Sequence, residues 1–202
     1  MPIFSYTGGH VFTNGYIINH NDTCIVVDAP ALINEVIQQE KLTPTHLLLT
    51  HQHFDHVEDV EALQKLGVEV LMHSPYSERL VRQKEARENW GLPIQITPFT
   101  PDTLLSEQEN YTIGNLEFTI SHIPGHSPDS ICFYFPELEA VFVGDTLMNE
   151  SLGRTDLPGG SHQQLVTGIH QKLLTLPQNT VVCPGHGPQT TVAHEKEHNQ
   201  FL

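Results

Sequence analysis

Short apolar runs alternate with segments of helical period along this chain. Runs rich in β-branched and aromatic residues predict strands over 15–19, 24–28, 46–50, 68–73, 116–122, 131–135, 140–144 and 180–183. Between them, 31–40 carries Leu32, Ile33, Val36 and Ile37 on one helical face. The segment 56–66 repeats the pattern with Val60 and Leu63, and Gly67 is placed to end it. Ser74 and Pro75 read as an N-cap and first helical residue, opening a helix over 74–88. Ser161 with Gln164 reads as a capping box, after which Leu165, Ile169 and Leu173 recur every fourth residue until Pro177. Interleaved strands and helices predict an α/β architecture, and dense strand content in each half fits two sheets better than one.

The polar positions that punctuate these runs carry the chemistry. His51-Gln52-His53-Phe54-Asp55-His56 follows the apolar Leu47-Leu48-Leu49, where a strand ends and a helix begins. His51 and His53 are two apart, so an extended turn lets both imidazoles face one ion, while Asp55 and His56 swing to a neighbouring point. Imidazole and carboxylate suit Zn, Fe or Mn. A strand-to-helix loop with Asp55 as a plain cap would need one such residue, not four. Three later residues, His126, Asp145 and His186, each follow an apolar strand and a glycine. Any one alone would more often be a turn residue. All three lie at strand C-terminal ends, where α/β sheets place their sites.

Composition narrows the function. The chain has 202 residues, long enough to bury a core without staples, and is expected to be a single domain over 1–202. Nine Lys and Arg against 24 Asp and Glu give a formal charge of −15, which opposes a nucleic-acid track. Cys24, Cys132 and Cys183 are odd in number and widely spaced, which opposes a disulfide framework; Cys24 and Cys132 read as buried thiols, while Cys183 ends a strand close to His186 and its role stays open. No apolar stretch approaches the roughly 20 residues a bilayer needs, and 1–16 has no basic segment leading into an apolar run. The expectation is a cytoplasmic protein with a small-molecule substrate, no nucleic acid and no membrane. Oligomeric state is not legible.

The HxHxDH run, the later His, the Gly-Asp and the final Gly-His occur in the order of the metallo-β-lactamase superfamily, which the chain resembles over nearly its whole length. Gly153-Arg154-Thr155-Asp156-Leu157-Pro158-Gly159-Gly160, Pro184-Gly185-His186-Gly187-Pro188 and His194-Glu195-Lys196-Glu197-His198-Asn199 make it similar to the small type II glyoxalase-like hydrolases. The resemblance implies a four-layered αβ/βα sandwich of two mixed sheets flanked by helices. It implies two divalent ions, Zn first and Fe or Mn as alternatives. One would sit on His51, His53 and His126, the other on Asp55, His56 and His186, with Asp145 and a hydroxide between them. Asp55 would also act catalytically, orienting the hydroxide and taking its proton. Asp28 matches the family's buried Asp behind the ligand loop, although a turn Asp there is nearly as ordinary.

The implied reaction is hydrolysis of an acyl thioester. The alternatives on the same scaffold are a mononuclear iron persulfide dioxygenase using His51, His126 and Asp145, and a lactonase or phosphodiesterase. Three carboxylates depart from the family pattern, Glu58, Asp59 and Asp129. At a site mouth they would repel an anionic acylglutathione. His10, His73 and His122 read as ordinary.

Overall fold

The computed structural model describes residues 3–105 and 108–202. The chain divides into two compact units, Met1–Leu105 and Ser106–Leu202.

The first unit is built on a mixed sheet of strands β1 (Ile3–Gly8), β2 (Thr13–His20), β3 (Thr23–Val27), β4 (His46–Leu48), β5 (Glu69–Met72) and β6 (Thr103–Leu104), hydrogen-bonded in that order. β1 to β3 are antiparallel, and β3 to β6 are parallel. Helices α1 (Ile33–Gln39) and α2 (Val60–Lys65) are the crossovers that parallel neighbours require. Ile33, Ile37, Val60 and Leu63 share one core cluster with Val26, Leu47, Val70 and Met72 of the strands. The alternate residues Ile25, Val27, Leu48 and Leu71 are buried as well. Burial on both faces explains why these strands read as unbroken apolar runs rather than as an alternation.

Two further helices, α3 (Glu78–Val81) and α4 (Gln83–Trp90), replace the single helix expected over 74–88. The backbone of Ser74 and Pro75 is engaged elsewhere: both carbonyls accept from the Gln52 amide, at 3.3 and 3.2 Å, and Ser77 N donates to Gln52 Oε1. Helix α3 therefore starts after Ser77, and Arg82, at φ 58°, separates α3 from α4.

The second unit holds β7 (Gln108–Ile113), β8 (Leu116–His122), β9 (Ile131–Phe135), β10 (Ala140–Gly144), the small hairpin β11 (Leu147–Met148) and β12 (Ser151–Leu152), α5 (His162–Gly168), β13 (Val181–Pro184), β14 (Thr190–Thr191) and α6 (Val192–His198). Its main sheet runs β14-β13-β10-β9-β8-β7. β8 and β10 are both antiparallel to β9, and β13 is parallel to β10, so β8, β10 and β13 end on the same edge. Ser161 caps α5 by accepting from Gln164 N, as the sequence pattern predicts. Leu165, Ile169 and Leu173 of that segment are buried with Ile123, Val141 and Val182.

Both units are mixed sheets with helices packed on them, the α/β class expected from the pattern. Among the described residues, no helix is long and apolar enough to cross a membrane.

Candidate metal centre

In the first unit, β3 and β4 run parallel, and the chain leaves their carboxyl ends through Asp28 and Thr50. Asp28 adopts φ 58° and is almost fully buried. Its Oδ1 accepts from Thr50 N at 2.8 Å, and its Oδ2 accepts from Thr50 Oγ1 at 2.8 Å and lies 2.8 Å from His56 Nδ1. A carboxylate only accepts, so His56 carries its proton on Nδ1 and turns the lone pair of Nε2 outward. Asp28 thus ties both ends of the ligand loop to one carboxylate. That is the supporting role the resemblance implies, and more than a turn residue does.

His51, His53, Asp55 and His56 all lie together at this loop and are buried. His51 Nε2 and His53 Nδ1 are 3.1 Å apart, and His56 Nε2 is 3.4 Å from Asp55 Oδ2. The His51 ring centroid is 4.1 Å from that of His56. Thr13, from the start of β2, donates its hydroxyl to Asp55 Oδ2 at 2.6 Å and is itself fully buried.

In the second unit, Asp145 follows β10, His186 follows β13, and His126 follows β8, all on the shared edge. Asp145 Oδ2 lies 3.5 Å from His126 Nε2 and 3.4 Å from His186 Nε2. His126 Nδ1 is 2.9 Å from the carbonyl of Arg154, which can only accept, so the lone pair of Nε2 is directed at Asp145. Two glycines permit this closeness. A Cβ on Gly125, at φ +141°, would meet Leu165 N at 2.6 Å, and one on Gly153 would meet Asp145 O at 1.7 Å.

The donor set in each unit fits a divalent cation. Zn–N bonds of about 2.0–2.1 Å in tetrahedral geometry separate two ligand atoms by about 3.3 Å. Four neighbouring pairs fall at 3.1, 3.4, 3.5 and 3.4 Å. Three of these exceed the roughly 2.7–3.2 Å of an ordinary N–H···O bond.

A sequence profile of the metallo-beta-lactamase superfamily matches residues 8–186. The chain belongs to the metallo-β-lactamase superfamily. It is 36% identical over 198 residues to the probable metallo-hydrolase YqgX of Bacillus subtilis, covering 96% of this chain and 94% of the relative. It is 37% identical over 169 residues to the hydroxyacylglutathione hydrolase GloC of Haemophilus influenzae, covering 82% and 79%. Among solved structures, BLEG-1, a B3 metallo-beta-lactamase, superposes with TM-score 0.88 at 36% identity over 99% of both chains. TTHA1623, solved in a di-iron-bound form, superposes with TM-score 0.82 at 35% identity over 98% of this chain and 100% of its own. These similarities establish the metallo-β-lactamase fold and the class of a metal-dependent hydrolase whose His and Asp residues bind divalent metal.

The three carboxylates that depart from the family pattern lie beside the ligand loops in sequence. Asp59 and Asp129 both accept hydrogen bonds. Asp59 Oδ2 accepts from Asn34 N at 2.9 Å, and Asp129 is buried and accepts a very short bond from Ser127 Oγ. Glu58 accepts from the backbone of Ala31 and packs on Gly9, where a Cβ would come within 2.6 Å of its Oε1. Burial, and then the charge of Asp55, raise the Glu58 carboxyl to about 7. Each of the three carboxylates thus has a backbone or side-chain donor. Cys183, in β13 just ahead of His186, is fully buried, which pushes its thiol up to about 12.

Thr13, Gln52 and the Arg154 carbonyl are the contributors the sequence pattern missed. A lone threonine, glutamine or carbonyl has no spacing signature. Only Gln52, buried inside the HxHxDH run, had a local hint.

Proposed function

We propose that this chain is a dinuclear hydrolase of acyl thioesters, its two units acting as one catalytic domain over 1–202. His51, His53 and His126 would hold one ion, and Asp55, His56 and His186 the other, with Asp145 shared between them. The observation that carries this reading is Asp145 Oδ2, flanked at 3.5 and 3.4 Å by His126 Nε2 and His186 Nε2, imidazoles that the family motif assigns to different ions. A carboxylate oxygen so placed suits a bridge. The di-iron state of TTHA1623 supports two ions, and the hydroxyacylglutathione hydrolase name of GloC supports a thioester. Zn is the ion the His-rich set favours, with Fe and Mn within the same donor chemistry.

When bound, such ions lower the pKa of water and polarise a carbonyl. The protein's own residues set the rest. Asp28 and the Arg154 carbonyl hold His56 and His126 in the tautomer that presents Nε2. Thr13 donates to Oδ2 of Asp55 and orients the carboxylate that, in this reading, takes the proton of the attacking water. The carboxylate that receives the proton is thereby fixed in direction before substrate arrives.

The test combines metal analysis with activity. Protein reconstituted with Zn, Fe or Mn should saturate at about two ions per chain and hydrolyse acyl thioesters, acylglutathiones included. Asp145→Asn should cut kcat about 100-fold, the scale of a misplaced nucleophile. Saturation at one ion, with oxygen consumed on a persulfide and no thioester cleaved, would replace this reading by the dioxygenase. Near-normal turnover by Asp145→Asn with both ions bound would remove Asp145 from the bridge.

A further inference from the structure

The C-terminal helix carries a motif that the candidate centre does not use. His194-Glu195-Lys196-Glu197-His198 spells H-E-x-x-H, in which two histidines one helical turn apart share a face and bind Zn beside a glutamate base. Helix α6 does bring the two imidazoles together: the His194 and His198 centroids are 4.5 Å apart. The glutamate of the motif has another task. Glu195 is fully buried and accepts from Thr190 Oγ1 at 2.6 Å, from Asn199 Nδ2 at 2.8 Å and from Glu150 N at 3.1 Å. It is saturated and cannot serve as a base. It does, however, pin the turn of the β11–β12 hairpin against α6, and Asn199 adds a second tie to Ser151 O at 3.2 Å.

That tie delivers a third ligand. Glu150 sits at the hairpin turn with φ 54°, a conformation L side chains rarely adopt, and its carboxylate lies 2.8 Å from His194 Nε2. His198 and Glu150 are exposed and His194 is half-buried, so water can complete a coordination sphere. We propose that His194, His198 and Glu150 form a surface site for a divalent ion of the zinc class, sharing no ligand with the candidate centre. Two imidazoles and one carboxylate match that class of ion. The backbone of the third ligand is held by a buried carboxylate, and the exposed His198 ring must rotate to bring a nitrogen within ligand distance of the His194–Glu150 pair.

The experiment uses protein already loaded at its centre, dialysed against micromolar Zn²⁺ and compared with His198→Ala treated identically. His198 is exposed, so its removal spares the fold. The wild type should take up about one more Zn²⁺ per chain than His198→Ala. Glu150→Gln should weaken that uptake at least as much as loss of an outer-shell partner does, about 10–100-fold. Zn²⁺ should move the imidazole NMR signals of His194 and His198 together and leave the exposed His162 and His170 unmoved. Equal uptake by wild type and His198→Ala, or imidazole signals at 194 and 198 that do not respond, overturns the site. Neither outcome bears on the centre, whose ligands are all elsewhere.

Discussion

The side chains of Thr13 and Asp55 meet across 42 positions of sequence, and their 2.6 Å bond is buried. A hydroxyl held on one carboxylate oxygen fixes the direction of the other. Thr13→Val keeps the shape and removes the donor. Bonds to charged groups contribute about 1.5–3 kcal/mol, so kcat should fall about 10–100-fold with KM little changed, and Thr13→Ser should recover most of it. An equal loss in Thr13→Ser and Thr13→Val would assign the threonine to packing. Glu58 makes a second prediction at this scale. Its carboxyl, raised from 4.5 to about 7, holds its proton more tightly folded than unfolded. That contribution is complete below the unfolded value and is lost as pH rises through about 7. In metal-free protein, Glu58→Gln should therefore gain stability relative to wild type between about pH 5 and pH 8. Urea midpoints of the two proteins that differ by the same amount at both pH values would contradict it.

Among the elements, α1 shows a cap supplied from a distance. Its first turn follows Leu32, which has φ 71° and no side chain able to cap. Asp59, just before α2, accepts from Asn34 N and from the Leu32 backbone instead. It stitches the two crossover helices together while satisfying orphan donors of one of them. Asp59→Ala should cost about 1 kcal/mol, as loss of an ordinary cap does, and lower Tm by a few degrees. An unchanged melt would show that water replaces the carboxylate. The eight strands expected from apolar runs all form; β3, β4 and β5 are parallel neighbours buried on both faces and read as unbroken apolar runs, whereas antiparallel β8 alternates buried and more exposed residues. β1, β6 and β14, at sheet edges, were not legible: they are short, exposed or pattern-free, and pairing alone makes them strands. The expected helix over 74–88 failed for a related reason. Ser-Pro is a sound local start signal, yet Gln52 claims the carbonyls that follow.

For the whole molecule, the proposed ions join ligands carried by both units, so metal binding adds to folding free energy. Chelation should lower Tm as well as abolish activity, and reloading with Zn, Fe or Mn should restore both. A stripped protein that melts with the loaded one would mean that the ions contribute chemistry alone. The sequence by itself determined the ligand loop. His51, His53, Asp55 and His56 are neighbours in the chain, so local geometry suffices to gather them, and the same holds for the strand runs and for the glycines ahead of His126 and Asp145, both at positive φ. Gly185, ahead of His186, is not at positive φ, so the same reasoning did not apply there. Only the tertiary structure decided that Thr13 serves Asp55, that Asp59 caps α1, and that Glu195 is a buried strut while His194 meets Glu150. Each of these depends on a contact between residues far apart, made by types whose local sequence looks the same whether they are buried or solvated.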